Sequence, residues 1–495
     1  MSDQYFIKQV DVDEPVETIF GWHENLGAFE RLTPPWMRLK NIDKSGDGIK
    51  VGAKVSMDIC FGGVPFPIRA EHIGYEKNIF FKDRLYGGIF SKWEHTHKFF
   101  NLSLDISNKS NKLSMLEDRI DYNLYFHVPN KLHNLIKSEI YRLFNYRHTV
   151  MVNDLKRHKD FSHILNSNPN LPRNLTFLIS GASGPVGNSL IPFLTTGGHR
   201  VIKLVRRKSQ NSDEIEWNPY KGELDLLDFI DCKSSDRSKC KSKYNNNKID
   251  VVINLNGYNI GSGRWTEKAK EMIVKSRNLS TKLLADKIST LPKELRPAAF
   301  ISASATGFYG DCGDSCVDEN SCSGDLFISE VCKDWESCAK KAQDCGIRTV
   351  FARMGVVLTP AGGALERLLP AFMVGLGAQI GSGNQYMSWI SMDDLIYSLY
   401  HIVQKQEIDG AINLISPNPV TNKEFTATLA NVLSRPAPFK IPEKLIHILW
   451  GKMGEEILLA STRVVPEKLV GSGFRFSYPK LEEALRHLIG KDYKK

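Results

Sequence analysis

The sequence predicts two different folds in one chain of 495 residues: an α+β domain, followed by a larger α/β domain with a doubly wound parallel sheet. Segments of alternating apolar and polar residues fill the first part of the chain and end in a long amphipathic helical pattern, at about residues 131–157. After residue 173 the pattern changes to short, uniformly apolar runs separated by helical segments, which is typical of parallel strands. A chain of this length fits about two to four domains.

Residues 1–160 show the pattern of an antiparallel sheet closed by a helix. A strand-like run, YFIKQVDVD, comes first, and the segment EPVETIFGWHENLGAF follows as a helix capped by Asp13. The successive strands are predicted at KVSMDICF, IRAEHIGY, IFFKDRLY, WEHTHKFF and SMLEDRIDYNLYF. A curved sheet that holds one long helix usually leaves a cavity, so we expect this domain to bind a small molecule, with an apolar ligand as one candidate.

Three further regions follow. Residues 161–173, FSHILNSNPNLPR, are predicted to be a linker because Asn, Pro and Ser dominate them. Residues 174–425 start a βαβ unit with a strand, a Gly-rich turn, a helix and a second strand. The polar run DCKSSDRSKCKSKYNNNK within this domain is predicted to be a disordered insertion. Residues 426–495 are predicted to form a mostly helical C-terminal subdomain.

The turn after the first parallel strand has the spacing of a dinucleotide-binding loop. Gly181, Gly184 and Gly187 stand as GxxGxxG between a strand and a helix. Glycine permits the tight turn, and the helix N-terminus offers free N–H groups and a positive dipole to phosphate groups. The alternative is a plain Gly-rich turn, but the strand, turn, helix and strand all occur in one short unit.

The end of the second parallel strand indicates which dinucleotide is bound. An acidic residue there would hold the free ribose 2′-hydroxyl of NAD, whereas this chain has Arg206, Arg207 and Lys208. Guanidinium groups suit a 2′-phosphate, so the sequence predicts NADP as the cofactor. The alternative is two arginines that only face solvent.

Composition excludes several classes of protein. The net charge of +9 is spread over the chain without a dense basic block, so we expect no nucleic-acid partner. No apolar run is long enough to span a membrane, and the N-terminus lacks the apolar core of a signal peptide. Nine cysteines without a CxxC pair argue against a structural zinc site and for a reduced, cytoplasmic protein. The oligomeric state is not predicted.

Residues 175–495 resemble the atypical extended short-chain dehydrogenases called nucleoside-diphosphate-sugar epimerase-like proteins. The matching stretches are ISGASGPVG, VINLNGYNI, ISASATGFYG, CKDWE, ARMGVVLTPAGGAL, GSGNQYMSWISMDDL and VVPEKLVGSGFRF. The chain departs from the pattern at Asn256, where most members have alanine, and in the insertion at about 232–247. Residues 1–160 resemble the START or polyketide-cyclase type of helix-grip domain at PPW, KWEHTHKF and FNYRHTVMVNDLKRH.

The resemblance implies a Rossmann-type domain with cofactor contacts at four places. The residues that the resemblance implies to line the cofactor diphosphate are Gly181, Ser183, Gly184, Pro185, Val186 and Gly187. Arg206 and Arg207 are implied to meet the adenosine phosphate. The residues implied to run beside the cofactor ribose are Asn254, Leu255, Asn256 and Gly257. Ser302, Ala303 and Ser304 are implied to lie near the nicotinamide, at a strand end where such sheets bind ligands.

The helix that carries Tyr-x-x-x-Lys in ordinary short-chain dehydrogenases has Cys332-x-x-x-Glu336 here. A glutamate cannot replace the lysine, because its charge raises the pKa of a neighbouring acid. Tyr309, Ser304 and Glu336 are therefore the candidate proton donors. Cys332 as a reactive thiol is a weaker alternative, since the nearby carboxylate makes the thiol less acidic. Glu336 could equally form a structural ion pair, and Cys332 and Trp335 could belong to the core.

Two further motifs have a functional and a structural interpretation. Arg353, at the end of a predicted strand, could contact a substrate anion or form an ion pair within the domain. Trp389 and Asp394 could close a substrate pocket, but Asp394 is more typical of a helix cap.

Two histidines in the first domain are candidate metal ligands. His95 and His97 share one face of a predicted strand. A metal would need a third ligand that the sequence does not identify, so we predict no metal site and expect a cavity wall or a satisfied pair. Arg147 and His148 could reach the same cavity from the closing helix, but surface positions are expected.

Together these observations predict an atypical NADP-dependent oxidoreductase or epimerase-like enzyme that acts on a carbonyl or hydroxyl compound. A non-catalytic NADP-binding regulatory or scaffold protein is the alternative, and a lipid carrier built on the first domain is a third class.

Overall fold

The computed structural model describes residues 4–61, 64–102, 113–125, 129–167, 174–231 and 248–491. The chain divides into two compact units, the first built mainly from residues 1–163 and the second from residues 164–191 and 199–488. Within the described ranges, no helix is long and apolar enough to cross a membrane.

The first unit is an antiparallel sheet with a long helix, as the sequence predicts. Its elements are β1 (Gln4–Val12), α1 (Val16–Glu24), α2 (Ala28–Leu32), β2 (Arg38–Ser45), β3 (Lys54–Phe61), β4 (Val64–Glu76), β5 (Phe80–Gly87), β6 (Phe90–Asn101), β7 (Ser114–Leu124) and α3 (Asn130–Ser167). The strand order is β1-β7-β6-β5-β4-β3-β2. Burial alternates along β7, so one face of the sheet forms the core. Phe20 of α1 packs edge-on against Phe99 of that face.

Two features of this unit differ from the sequence-based expectation. Strand β2 was not predicted, because RLKNIDKS lacks the alternation of a strand with one buried face, and it lies at the edge of the sheet. Helix α3 extends to Ser167, so the first seven residues of the predicted linker are helical. Residues 168–173 lie outside the described part of the chain.

The second unit contains a doubly wound sheet, which confirms the predicted fold class. Its strands are β8 (Thr176–Ser180), β9 (Arg200–Val205), β10 (Glu214–Asn218), β11 (Glu223–Leu224), β12 (Val251–Asn254), β13 (Ala299–Ala305), β14 (Cys316–Val317), β15 (Arg348–Met354), β16 (Val356–Leu358), β17 (Ala378–Ile380), β18 (Tyr386–Met387), β19 (Trp389–Ser391), β20 (Gly410–Leu414), β21 (Val420–Thr421), β22 (Phe439–Ile441) and β23 (Arg463–Val464).

The helices of the second unit are α4 (Pro185–Thr196), α5 (Leu227–Asp231), α6 (Glu267–Ser289), α7 (Phe327–Ser337), α8 (Lys340–Asp344), α9 (Gly363–Met373), α10 (Met392–Gln404), α11 (Asn422–Leu433), α12 (Glu443–Trp450), α13 (Lys452–Gly454), α14 (Glu467–Gly471) and α15 (Leu481–Ile489). Short 3₁₀ turns occur at Lys293–Leu295 and Thr306–Tyr309, and a π-helical turn at Glu455–Leu459. The predicted disordered insertion, at 232–247, lies outside the described residues.

The main sheet has the strand order β11-β10-β9-β8-β12-β13-β15-β20. All its neighbouring strands are parallel except β10 and β11. The chain builds outward from β8 through β9 and β10, and then returns to the other side of β8 with β12. The order therefore reverses between β8 and β12, and such a switch point opens a crevice at the carboxyl ends of the strands.

A buried histidine lies at the start of β9. His199 Nδ1 accepts a hydrogen bond from the Leu175 backbone N–H at 3.1 Å, and its Nε2 donates to the Tyr400 hydroxyl at 2.7 Å. This tautomer satisfies both nitrogens of a neutral ring. Burial lowers the pKa of His199 to about 3, so the ring stays neutral in the folded chain.

The C-terminal region is mostly helical but is joined to the rest of the second unit by strands. Strand β22 pairs with β17, and β23 pairs with β14. Asp394 at the start of α10 adds to this connection, because its carboxylate accepts the backbone N–H groups of Ser477 and Tyr478.

Candidate functional site

The Gly-rich loop between β8 and α4 depends on glycine at its first and last positions. Gly181 has a φ of 70°, and a Cβ atom there would lie 2.6 Å from the Leu255 carbonyl oxygen. A Cβ at Gly187 would lie 2.5 Å from the Gly181 carbonyl oxygen. Both positions exclude any larger residue, so these two glycines allow the loop to fold tightly over the end of β12.

The middle of this loop is accessible from solvent. Ser183 and Pro185 are exposed, and a Cβ at Gly184 would make a tight contact of 3.3 Å with the Gly181 carbonyl oxygen. Pro185 is the first residue of α4, a position where proline is favoured because its missing N–H has no partner in the helix. Free N–H groups of the first helical turn suit an anion. The loop therefore fits the diphosphate of a dinucleotide.

The two arginines after β9 do not have the same environment. Arg207 forms a bidentate ion pair with Glu214 of β10, with nitrogen–oxygen distances of 2.7 and 2.8 Å. Arg206 is exposed, as is Lys208. The predicted contact of Arg207 with an adenosine phosphate therefore competes with an existing carboxylate partner, whereas Arg206 has a solvent-facing side chain.

The side chain of Asn254 has a structural role. Asn254 is fully buried; its Oδ1 accepts from Ser180 Oγ at 2.6 Å, and its Nδ2 donates to Thr281 Oγ1 at 2.8 Å. Trp335 Nε1 also donates to Thr281 Oγ1. The Asn254 side chain thus holds β8 and β12 to α6, and contact of this residue with the cofactor ribose stays a prediction. It stands at the last position of a strand whose four residues are all buried.

The neighbours of Asn254 remain candidates for cofactor contact. Leu255 and Asn256 are half-buried, and Gly257 is exposed. Ser302, Ala303 and Ser304 are buried, and the half-buried part of that strand end begins at Ala305 and continues to Phe308.

The three candidate proton donors converge on one arginine, Arg353. Ser304, Arg353 and Asn413 lie opposite one another on the neighbouring strands β13, β15 and β20, so their side chains share one face of the sheet. Glu336 reaches this face from α7. Its Oε1 accepts from Ser304 Oγ at 2.7 Å and from Arg353 Nε at 2.8 Å, and its Oε2 accepts from Arg353 Nη2 at 2.9 Å. The ion-pair interpretation of Arg353 is therefore correct.

Tyr309 joins the same network through its hydroxyl. It accepts a hydrogen bond from Arg353 Nη1 at 3.0 Å and donates one to Asn413 Oδ1 at 2.8 Å. Burial raises the pKa of Tyr309, although the charge of Arg353 and the hydrogen bonds with Arg353 and Asn413 act in the opposite direction. Because the hydroxyl proton already has an acceptor, Tyr309 is a weaker proton donor than its position in the sequence suggests.

Cys332 is a buried core thiol. Burial raises its pKa to about 12, and the negative charge of Glu336 acts in the same direction. A thiol of this kind is not a nucleophile near neutral pH. The structural interpretation of Cys332 and Trp335 as core residues is confirmed, since both are buried.

The sequence did not identify Asn413 and Glu319 as members of this network. Glu319 is buried and accepts the backbone N–H of Asn413 at 2.9 Å, so it fixes the strand that orients Tyr309. Burial raises the pKa of Glu319. Neither residue stands in a recognisable motif, and only the pairing of β15 with β20 brings Asn413 beside Arg353.

Trp389 and Asp394 have structural roles. Trp389 is fully buried, and its Nε1 donates to the Asn418 carbonyl oxygen. Asp394 is buried in the first turn of α10, where the capping residue Ser391 accepts its backbone N–H. Burial and these hydrogen bonds favour the structural interpretation of both residues, and closure of a substrate pocket by them stays untested.

Comparisons with known proteins match the second unit. A sequence model of the NAD dependent epimerase/dehydratase family matches residues 177–414, and a domain of unknown function, DUF1731, matches residues 441–488. The epimerase family protein MT2273 of Mycobacterium tuberculosis is 38% identical over 312 residues, covering 63% of this chain and 97% of the relative. The human epimerase family protein SDR39U1 is 31% identical over 315 residues, covering 63% of this chain and 99% of the relative.

Solved structures extend the likeness to the first unit. A nucleoside-diphosphate sugar epimerase from Corynebacterium glutamicum is similar over 98% of this chain and 90% of its own length, with a TM-score of 0.74 and 28% identity. The structure of human SDR39U1 with NADPH is similar over 63% of this chain and 99% of that chain, with a TM-score of 0.55 and 29% identity.

Proposed function

The chain belongs to the epimerase family of NAD-dependent proteins, and from this membership we propose that it is an NADP-dependent oxidoreductase or epimerase-like enzyme acting on a carbonyl or hydroxyl compound. The observation that carries the proposal is the hydrogen bond between Ser304 and Glu336. Ser304 lies near the carboxyl end of β13, at the same edge of the sheet where the Gly-rich loop leaves β8.

The cofactor is held in this proposal by the loop and by the basic residues after β9. Gly184 and the first turn of α4 bind the diphosphate, and Arg206 with Lys208 binds the 2′-phosphate. The presence of NADPH in the human SDR39U1 structure supports NADP over NAD. When bound, the cofactor supplies hydride chemistry, and the protein supplies orientation and proton transfer.

Ser304 and Glu336 are proposed to handle the proton. In the oxidative direction Ser304 Oγ accepts the proton of a substrate hydroxyl while its own proton passes to Glu336 Oε1; reduction reverses both transfers. The distance of 2.7 Å between these two oxygens supports a direct transfer. Arg353 orients the carboxylate and balances its charge, and Tyr309 positions Arg353 through its hydroxyl.

A second candidate function rests on the burial of this network. Ser304 and Tyr309 are each 3% exposed, and Arg353 is 4% exposed. A closed set of hydrogen bonds with so little exposed surface also suits a protein that binds NADP without turnover, as a regulator or scaffold.

The two candidates are separated by binding and turnover measurements on the full chain. The enzyme proposal expects NADPH to bind and to be oxidised by at least one member of a panel of carbonyl compounds, including nucleotide-linked sugars. Ser304→Ala and Glu336→Gln should lose turnover while NADPH affinity stays unchanged, and Tyr309→Phe should lose less. NADPH binding without any turnover across the panel would favour the non-catalytic protein, and failure to bind NADPH would contradict both candidates.

A further inference from the structure

The first unit contains a buried cluster of histidines and aspartates that the proposed function does not use. His95 and His97 lie on the same face of β6, Asp83 comes from β5, and Asp118 comes from β7. The register explains the grouping, because Asp83 is the direct cross-strand partner of His95 and Asp118 is the direct partner of His97. The clustering is therefore built into the pairing of three strands and does not depend on a loop conformation.

Three ligand atoms in this cluster face one another. His95 Nδ1 lies 3.4 Å from Asp83 Oδ1, His97 Nε2 lies 4.0 Å from the same oxygen, and the three atoms all lie within 4.8 Å of one another. Bonds of about 2.0–2.1 Å in a tetrahedral zinc site place neighbouring ligand atoms about 3.3 Å apart. The spacing thus needs only small side-chain shifts to close around an ion.

A second carboxylate contacts the opposite nitrogens of both rings. Asp118 Oδ1 lies 2.8 Å from His95 Nε2 and 2.7 Å from His97 Nδ1, and its Oδ2 lies 2.5 Å from Nε2 of His148 in α3. Carboxylates in this position fix the tautomer of metal-binding histidines and orient their rings. Asp118 thus contacts one nitrogen of each ring, and the other nitrogens, His95 Nδ1 and His97 Nε2, are directed toward Asp83.

One histidine of the cluster lacks a satisfied partner. The contact from His97 Nδ1 to Asp118 is short but is not aligned as a hydrogen bond, and this atom is buried. His97 is 6% exposed and stacks on Phe81 with ring centroids 4.0 Å apart.

The charges around the cluster leave a deficit of positive charge near the two carboxylates. Arg147 is a nearby cation and interacts electrostatically with both Asp118 and Asp83. Two carboxylates thus lie near one arginine, and a further cation between Asp83 and the two rings is electrostatically favoured.

We propose that Asp83, His95 and His97 form a binding site for a divalent transition metal ion of the zinc type, with Asp118 orienting the two imidazoles. One carboxylate and two imidazoles are a common zinc donor set, and three protein ligands leave one position for water or a small-molecule ligand. The sequence did not identify a third ligand beside His95 and His97. The pairing of β5 with β6 provides it, because Asp83 lies opposite His95. The expectation of a surface position for His148 is also wrong, since His148 is buried.

The test uses the full chain, stripped of metal with a chelator and then supplied with one equivalent of Zn²⁺ or Co²⁺. We expect one metal ion per chain by elemental analysis, and a Co²⁺ absorption spectrum of tetrahedral type without thiolate bands. Asp83→Asn and His97→Gln should each abolish stoichiometric binding, and Asp118→Asn should weaken it about 10- to 100-fold. The double variant Cys316→Ser/Cys322→Ser removes two exposed thiols and should bind normally.

Circular dichroism of each variant checks that binding is not lost through unfolding. A measurement on the unmodified chain does not depend on the folding of any variant. X-ray absorption at the zinc edge should show imidazole scattering from two ligands. Retention of metal by the Asp83 and His97 variants, loss of metal in the cysteine variant, or absence of stoichiometric binding to the unmodified chain would each overturn the proposal.

Discussion

The ion pair between Arg353 and Glu336 allows the structural and chemical roles of the buried network to be measured separately. The side chains are 5% and 12% exposed and share two hydrogen bonds of 2.8 and 2.9 Å. Removing one partner of such a pair leaves an uncompensated buried charge, which costs about 3–5 kcal/mol. We expect the lower end of this range, because Arg353 keeps the Tyr309 hydroxyl and Glu336 keeps Ser304.

The variants are Arg353→Met, Glu336→Leu and the double variant with both changes. Each single variant should lose about 3 kcal/mol of unfolding free energy, while the double variant should be at least about 2 kcal/mol more stable than the sum of the two losses, because an apolar pair leaves no buried charge. Urea denaturation followed by tryptophan fluorescence measures all three, since Trp335 lies in the same helix as Glu336. Single losses below about 1 kcal/mol, or strictly additive losses, would refute the reasoning.

Three other predictions concern the loop, the cofactor phosphate and pH. Gly187→Ala should weaken NADPH binding by about tenfold or more, because its Cβ would lie 2.5 Å from a backbone carbonyl oxygen. Gly471→Ala is the matched control in the same NADPH titration, since a Cβ there meets nothing within 4 Å. Arg206→Glu should reduce the preference for NADPH over NADH more than Arg207→Glu does, as measured by the two dissociation constants; an equal effect would contradict the difference in their environments. His199 has a pKa of about 3 when folded and 6.5 as its ordinary value, so below pH 6.5 the unfolded chain takes up a proton that the folded chain does not. The free energy of unfolding should therefore fall by about 2 kcal/mol between pH 6.5 and pH 5 through this group. Urea midpoints measured at the two pH values should show a smaller fall in His199→Asn than in the unmodified chain. A His199→Asn variant with the same pH dependence as the unmodified chain would argue against this assignment.

The parts of the fold that were predicted correctly depend on local patterns. The alternation along β7 indicates an antiparallel sheet with one buried face, and the mostly apolar, buried strands β8 and β12 indicate a parallel sheet. The edge strand β2 was missed because its residues carry neither pattern. The glycine loop was recognised from spacing, and the close approach of Leu255 to Gly181 gives the steric reason for glycine there.

The parts of the candidate site that were missed depend on pairing between distant segments. Asp83 and His95 are adjacent only because β5 and β6 pair in one register, and a shift by one residue would turn the two side chains to opposite faces. Arg353 was recognised as a candidate, but its partners on α7 and at Tyr309 follow from tertiary packing alone. The hydrogen bonds of the Asn254 side chain were missed because a strand-end position does not reveal whether the side chain points toward the crevice or the helices.

The short strand pairs of the C-terminal region limit how this protein can be shortened or recombined. A chain truncated before residue 439 would leave β14 and β17 without their partners, and Asp394 would lose the two backbone N–H groups of Ser477 and Tyr478. A buried carboxylate that has lost two hydrogen-bond donors, together with two unpaired strand edges, favours unfolding and aggregation over an independently soluble core. Exchange of this segment between relatives should therefore succeed only when β14, β17 and the start of α10 are exchanged with it.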